Sequence, residues 1–333
     1  MAPADAPRDA AAAHNGAAAP LVAVTGATGF IGRHLVVALA DAGWRVRLLL
    51  RREPDDTAWQ RLRPEVVAGS LADSAALERL VEGADAVVHG AGLIKAARRT
   101  QYFGVNRDGA MHVAEAARRH APHAHFLLVS SLAAREPQLS DYAASKRAGE
   151  DAVLARLGER ATVLRPPAVY GPGDRETLLF FQLARRRIVP LLGAPDARAA
   201  LIHVHDLVRL ITVLIGTEAR GATVAAADER PAGYDWRTLL GAAADAVGNR
   251  RHRFVHAPQP LLGALAALGD VAKSFGSASM LSSQKLRELR HADWSVADAE
   301  LARPAVWAPR FSLAAGFADA VAWYRAAGWL PPA

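Results

Sequence analysis

Tyr142 and Lys146 stand four residues apart in Tyr142-Ala143-Ala144-Ser145-Lys146, a spacing that stacks both side chains on one face of a helix. A free phenol, with a pKa of about 10, is a poor base at neutral pH, and a nearby ammonium favours its phenolate. Such a pair can act as a general acid/base on a carbonyl or a hydroxyl. Tyr-x-x-x-Lys alone is common. Its weight here comes from Ser130-Ser131, which closes an apolar run just upstream, at the carboxyl edge where ligands of such sheets bind. A second constellation, Val24-Thr25-Gly26-Ala27-Thr28-Gly29-Phe30-Ile31-Gly32, spaces its glycines as G-x-x-G-x-x-G. The first permits a tight turn, the second a close backbone approach to a pyrophosphate, and the third tight packing of a helix on a strand. Phosphates would then sit on the helix N-terminus, where free N–H groups and the helix dipole favour negative charge.

These groups need elements to hold them. Leu21–Thr25 is a short apolar run ended by glycine, as expected of a buried parallel strand, and 30–42 has helical spacing with Gly43 as its stop. Further strands are predicted at 45–50, 66–67, 86–89, 125–130 and 162–164. Between them fall helices at 74–81 (with Asp73 as N-cap), 102–120 and 142–157. This alternation predicts an α/β fold, a doubly wound parallel (Rossmann) sheet with helices on both faces. After Gly173 the rhythm changes to a helix over 176–187, a Pro/Gly-rich loop, a strand plus helix in HVHDLVRLITVLIG, a strand in ATVAAAD, and a mostly helical remainder. The expected organisation is a disordered leader over 1–19, a dinucleotide-binding part over 20–175 plus 201–227, and a smaller, mostly helical substrate-binding part over 176–200 plus 228–333.

Composition narrows the chemistry. The 333 residues contain no cysteine, which excludes a thiol nucleophile, a disulfide scaffold and thiolate metal sites. The net charge of +7 rests mainly on arginines, since Lys95, Lys146, Lys273 and Lys285 are the four lysines. The arginine pairs are scattered, without interleaved aromatics, which argues against a nucleic-acid partner. His203 and His205 alternate on a predicted strand and His89 ends another. No carboxylate at ligand spacing accompanies them, so structural roles are expected and no metal. No apolar stretch is long enough to span a bilayer and the leader lacks an apolar export core, so a cytoplasmic location is expected.

The nucleotide is chosen at the end of the second strand, where an acidic residue would accept from a ribose 2′-hydroxyl and an arginine would pair a 2′-phosphate. The chain reads Leu50-Arg51-Arg52-Glu53. Arg51 and Arg52 favour NADP(H), and Glu53 keeps NAD(H) open.

TGATGFIG, the strand-end Ser-Ser, YAASK, RPPAVYGPGD, HVHDL and a closing AVAWYRAAGWL together resemble the extended short-chain dehydrogenase/reductase family from about Leu21 to Leu330. Within it the chain is similar to NAD-dependent epimerase/dehydratase-like members and closest in flavour to 3β-hydroxysteroid dehydrogenases and dihydroflavonol reductases. The resemblance implies Tyr142 as acid/base, Lys146 as the group that tunes it and holds the nicotinamide ribose, and Ser131 on the reacting oxygen, with Ser130 in reserve. It also implies a cofactor site formed by Gly26, Thr28, Gly29, Phe30, Ile31, Gly32, Arg51, Arg52, Ala91, Gly92, Asn106, Pro166 and Val169, and a four-helix homodimer through 102–120 and 142–157.

Two departures from the family pattern matter. Only ten residues lie between Ser131 and Tyr142, so a loop is trimmed, and Leu132-Ala133-Ala134 lacks the acids of sugar dehydratases. The apolar segment 260–268, with Phe275, Met280 and Leu281, is read as packed core or as the wall of a site for a lipid-, steroid- or polyketide-like ketone entered from a membrane surface. The expected activity is hydride transfer between NAD(P)H and a secondary alcohol/ketone. Nucleotide-sugar epimerisation with tightly bound NAD is the alternative enzyme, and a non-catalytic NADP-binding scaffold the alternative of another class.

Overall fold

The computed structural model describes residues 19–332 apart from 53–56, 192, 195, 218–219, 257–258 and 275–281. Expectations for the leader, Glu53, Phe275, Met280 and Leu281 therefore lie outside the described residues. The chain runs β1 (Leu21–Thr25), α1 (Phe30–Asp41), β2 (Arg45–Leu50), α2 (Thr57–Leu62), β3 (Glu65–Ala68), α3 (Ser74–Val81) and β4 (Ala86–His89). It continues through α4 (Arg99–Phe103), α5 (Ala110–His120), β5 (His125–Val129), α6 (Asp141–Leu157) and β6 (Ala161–Arg165). Then follow β7 (Ala168–Tyr170), α7 (Leu178–Ala184), β8 (Ile188–Leu191), β9 (Arg198–Ala199), β10 (Leu201–His203), α8 (Val204–Ile215) and β11 (Thr223–Ala225). The remainder is β12 (Tyr234–Asp235), α9 (Trp236–Val247), β13 (Arg253–His256), α10 (Gln259–Ser274), α11 (Ser283–Arg290), β14 (Asp293–Trp294) and α12 (Leu313–Ala326).

Seven strands form the central sheet in the order β11-β6-β5-β4-β1-β2-β3, every pairing parallel. This is the Rossmann-like doubly wound sheet expected from the alternation. Its inner strands β1, β4 and β5 are buried along their whole length because both faces are covered. Successive residues point to opposite faces. Val22, Val24, Leu48 and Leu127 meet Leu35, Leu39, Leu207 and Ile211 of α1 and α8 on one side. Leu21, Ala23, Leu49 and Phe126 meet residues of α3, α5 and α6 on the other. Burying each such leucine contributes about 1.5–3 kcal/mol. The chain order reverses between β1 and β4, the position at which doubly wound sheets open a ligand crevice at their carboxyl edge.

The predicted helix over 102–120 is interrupted. Between α4 and α5, residues 104–109 form one π-helical turn, the kind of bulge that often marks a functional position. It pushes Asn106 inward. The side chain accepts from the Leu93 amide at 2.7 Å and donates to the Leu93 carbonyl and to Ser145 Oγ. The predicted helix over 176–187 is also shorter, because Asp174 captures the Glu176 and Thr177 amides before α7 begins. Sequence reading missed the short β-pairings outside the main sheet, β7 with β10, β8 with β13, and β12-β9-β14, whose strands have two to four residues. A second apolar cluster joins Tyr170, Phe181, Tyr234, Phe317 and Tyr324, uniting α7, α9 and α12.

Gly149 of α6 is the seat of the π-helical turn, since a Cβ there would stand 2.2 Å from the Asn106 carbonyl oxygen. Replacing a helical glycine by alanine ordinarily gains about 1 kcal/mol of helix propensity. Here the clash is expected to reverse the sign, at about 1–3 kcal/mol destabilising for Gly149→Ala in urea unfolding. Stabilisation by Gly149→Ala would show that the turn is not locked by this contact.

Candidate active site

The glycine turn follows β1 directly. Gly26 has a φ of +79°, and a Cβ on it would lie 2.5 Å from the Ala91 nitrogen. A Cβ on Gly32 would lie 2.1 Å from the Gly26 carbonyl. Both positions therefore require glycine, and the turn is pressed against the segment after β4 that carries Ala91 and Gly92. Helix α1 begins with Gly29 at its N-cap, no side chain capping it and no acid in its first turn. Its free N–H groups are thus available to an anion. Thr28 and Gly29 are exposed, and Phe30 and Ile31 half-buried. These features fit the pyrophosphate of a dinucleotide. Arg51 and Arg52 are exposed at the end of β2, the strand beside β1.

Adjacent strands β4, β5 and β6 deliver the remaining groups. Lys146 is buried, and its Nζ donates to the Val129 carbonyl at the end of β5, 2.8 Å away. A Cβ on Gly92 would lie 3.7 Å from that Nζ and 3.3 Å from Asn106 Oδ1, so lysine, asparagine and the Gly92 backbone converge. Pro166 is buried and its carbonyl accepts from Leu132 N at 2.8 Å; Val169 lies half-buried on β7. The two serines point differently. Ser130 Oγ donates to Glu150 Oε1 at 2.5 Å, and Arg165 closes a bidentate pair on the same carboxylate at 2.9 and 2.6 Å. Ser131, extended before a short 3₁₀ turn, accepts from the Ala133 amide and hydrogen-bonds the Tyr142 phenol. Ser130 braces α6 against β5 and β6, whereas Ser131 faces the phenol.

The electrostatics depart from the sequence expectation in one respect. Burial pushes the half-buried Tyr142 phenol up to about 12, against which the Ser131 hydrogen bond works in the opposite direction. The same burial brings Lys146 down to about 8, opposed by the Glu150 carboxylate. His89 is held neutral, down to about 3, by burial and by Lys146; its Nδ1 shares a 2.8 Å hydrogen bond with Thr25.

Sequence reasoning missed Glu150 and Arg165. Glu150 lies four residues beyond Lys146 and eight beyond Tyr142, so helical spacing already placed it on their face. It also missed the cover over the start of α6. Gln284 of α11 exchanges hydrogen bonds with Asp141, and Glu288 accepts from Ser140. For His203, the fold supplies a carboxylate that spacing could not show. Its Nε2 lies 3.3 Å from Asp319 Oδ2, with His205 close by. His203 Nδ1 accepts from the His205 amide, which leaves the proton on Nε2 facing the half-exposed Asp319 carboxylate.

Two outcomes follow for the apoprotein. Removing one partner of a buried ion pair strands the other, so Glu150→Ala is expected to cost about 3–5 kcal/mol in urea unfolding. Glu115→Ala, which breaks an exposed pair with Arg118 and Arg119, should leave the midpoint nearly unchanged. Lys146 carries a folded pKa below its unfolded value, so between pH 8 and 10.5 the unfolded chain binds more protons and stability rises with pH. Tyr142 acts in the opposite sense only above pH 10. Wild type should therefore gain stability relative to Lys146→Met between pH 8 and 10, and parallel stability curves would contradict the buried ammonium.

Residues 22–226 match the model of the NAD dependent epimerase/dehydratase family. A ceramide reductase of Caulobacter vibrioides is 48% identical over 312 residues, covering 93% of this chain and 96% of that protein. Sterol demethylase protein B of Methylococcus capsulatus is 28% identical over 92% of this chain and 99% of its own length. Among solved structures, a dTDP-glucose 4,6-dehydratase from Streptomyces venezuelae with NAD bound superposes with a TM-score of 0.69 at 23% identity, covering 94% of this chain and 99% of that one. The chain belongs to the NAD dependent epimerase/dehydratase family and is an NAD(P)-dependent enzyme of the extended short-chain dehydrogenase/reductase class.

Proposed function

We propose that this enzyme reduces the ketone of a long-chain lipid of the ceramide type to a secondary alcohol. The observation that carries the reading is the Tyr142 phenol, set beside Ser131 at the carboxyl edge that also bears Lys146 and the glycine turn. The likeness to a ceramide reductase over nearly the whole of both chains supports the substrate class. Bound NAD(P)H supplies the hydride. Ser131 holds the ketone oxygen, and Tyr142, neutral across the physiological range, donates its proton to that oxygen. The Lys146 ammonium then steadies the phenolate left behind, and its burial keeps that charge effective. Asn106 and the Glu150–Arg165 pair position α6 without touching the reacting atoms. Arg51 and Arg52 at the end of β2 favour the 2′-phosphate of NADPH. Leu132-Ala133-Ala134 offers no acid to expel a hydroxide, which sets this site apart from a dehydratase.

Tyr142→Phe is expected to lower kcat for ketone-dependent NAD(P)H oxidation by about 100-fold or more, the usual contribution of a positioned proton donor, with little change in cofactor affinity. Unchanged turnover would exclude the phenol as acid. The wild-type kcat/KM should fall as pH rises through about 8, where Lys146 loses its proton. Tightly bound NAD together with epimerisation of UDP-sugars would replace the reductase reading by the epimerase one.

A further inference from the structure

Residues 259–269, QPLLGALAALG, carry no charge, and they open α10. Two apolar faces result. Leu262 and Ala266 turn inward onto Leu286 of α11. Pro260, Gly263, Ala264, Ala267 and Leu268, at i, i+3, i+4, i+7 and i+8, turn outward and are exposed, Leu268 to 66%. A continuous apolar stripe facing water marks an interaction surface.

Its neighbour is basic. Between α10 and α11 lies an open cleft of about 600 Å³ whose rim carries Arg287, Arg290 and His291 over a floor of Leu139, Ala266 and Leu286. Glu136 lies 3.9 Å from His291 and offsets its charge, whereas two other acids are engaged away from the rim. Asp270 accepts from the Ser283 amide, and Glu288 is turned inward to Ser140 and Lys285. Among the described residues, Arg287 and Arg290 therefore leave the outward charge of this face positive. No helix among the described residues is long and apolar enough to cross a membrane, so such a face can lie on a bilayer but not within it as a span.

We propose that the packed helices α10 and α11 dock the enzyme on an anionic bilayer surface. The apolar stripe enters the headgroup boundary and Arg287 and Arg290 pair with lipid phosphates, the division of labour of interfacial helices. Helix α11 also holds the start of α6 through Gln284 and Glu288, which bond residues one and two positions before Tyr142. A docked bilayer thus faces the same end of the molecule as the phenol.

Vesicle co-sedimentation of the full chain, without substrate or cofactor, tests this apart from the reductase reading. Vesicles of phosphatidylcholine containing phosphatidylglycerol should bind the protein at low salt, and pure phosphatidylcholine should bind it far less. Leu268→Asp, at an exposed position, and the double variant Arg287→Gln/Arg290→Gln should each weaken binding about tenfold or more, with thermal melting unchanged for Leu268→Asp. Absence of binding to anionic vesicles, or equal binding by Leu268→Asp, overturns the proposal. So does conversion of a dimer to a monomer by Leu268→Asp without any vesicle binding, because a second copy would then be the occupant of the stripe.

Discussion

Helix α6 carries the phenol, the ammonium and the carboxylate at positions 142, 146 and 150, and a helix bearing two buried ionisable groups can be held against a sheet only if each finds a partner. Lys146 is satisfied by the Val129 carbonyl, and Glu150 by Ser130 and the bidentate Arg165. These bonds reach β5 and β6 at their carboxyl ends, so the same contacts that make burial tolerable fix the helix against the edge where the glycine turn opens. Asn106 extends the clamp on the opposite side through Ser145 and the Leu93 backbone. The site is therefore a consequence of how polar groups on one helix are paid for.

Much of this was legible in the sequence because the physical demands were local. Glycine is required at 26 and 32 by backbone clashes a few residues long or across one strand, and the apolar runs of β1, β2, β4 and β5 announce strands covered on both faces. What escaped depends on distant partners. A π-helical turn at 104–109 is imposed by the Gly149 seat and the Leu93 backbone, neither of which alters helical periodicity. Ser130 and Ser131 are indistinguishable as letters; only the rotation of the chain after β5 sends one to Glu150 and the other to Tyr142. Strands of two to four residues, such as β9, β12 and β14, are too short to show any period.

The phenol shows how burial reorders a simple expectation. An ammonium four residues away lowers the pKa of a phenol in water, but here desolvation outweighs it and raises the value. A phenol kept protonated is a proton donor, which suits reduction of a ketone. The ammonium's part comes afterwards, when the donor has become an anion.

Net hydride transfer from the cofactor to a ketone carbon sets the proposed reduction apart from every internally reversed reaction in the family. Incubation of the wild-type enzyme with a keto-lipid and NADPH deuterated at the transferring C4 position, read by mass spectrometry, measures it directly. One deuterium per product molecule on the new carbinol carbon is the expected result. A product without deuterium, or label retained wholly in the cofactor, would contradict it.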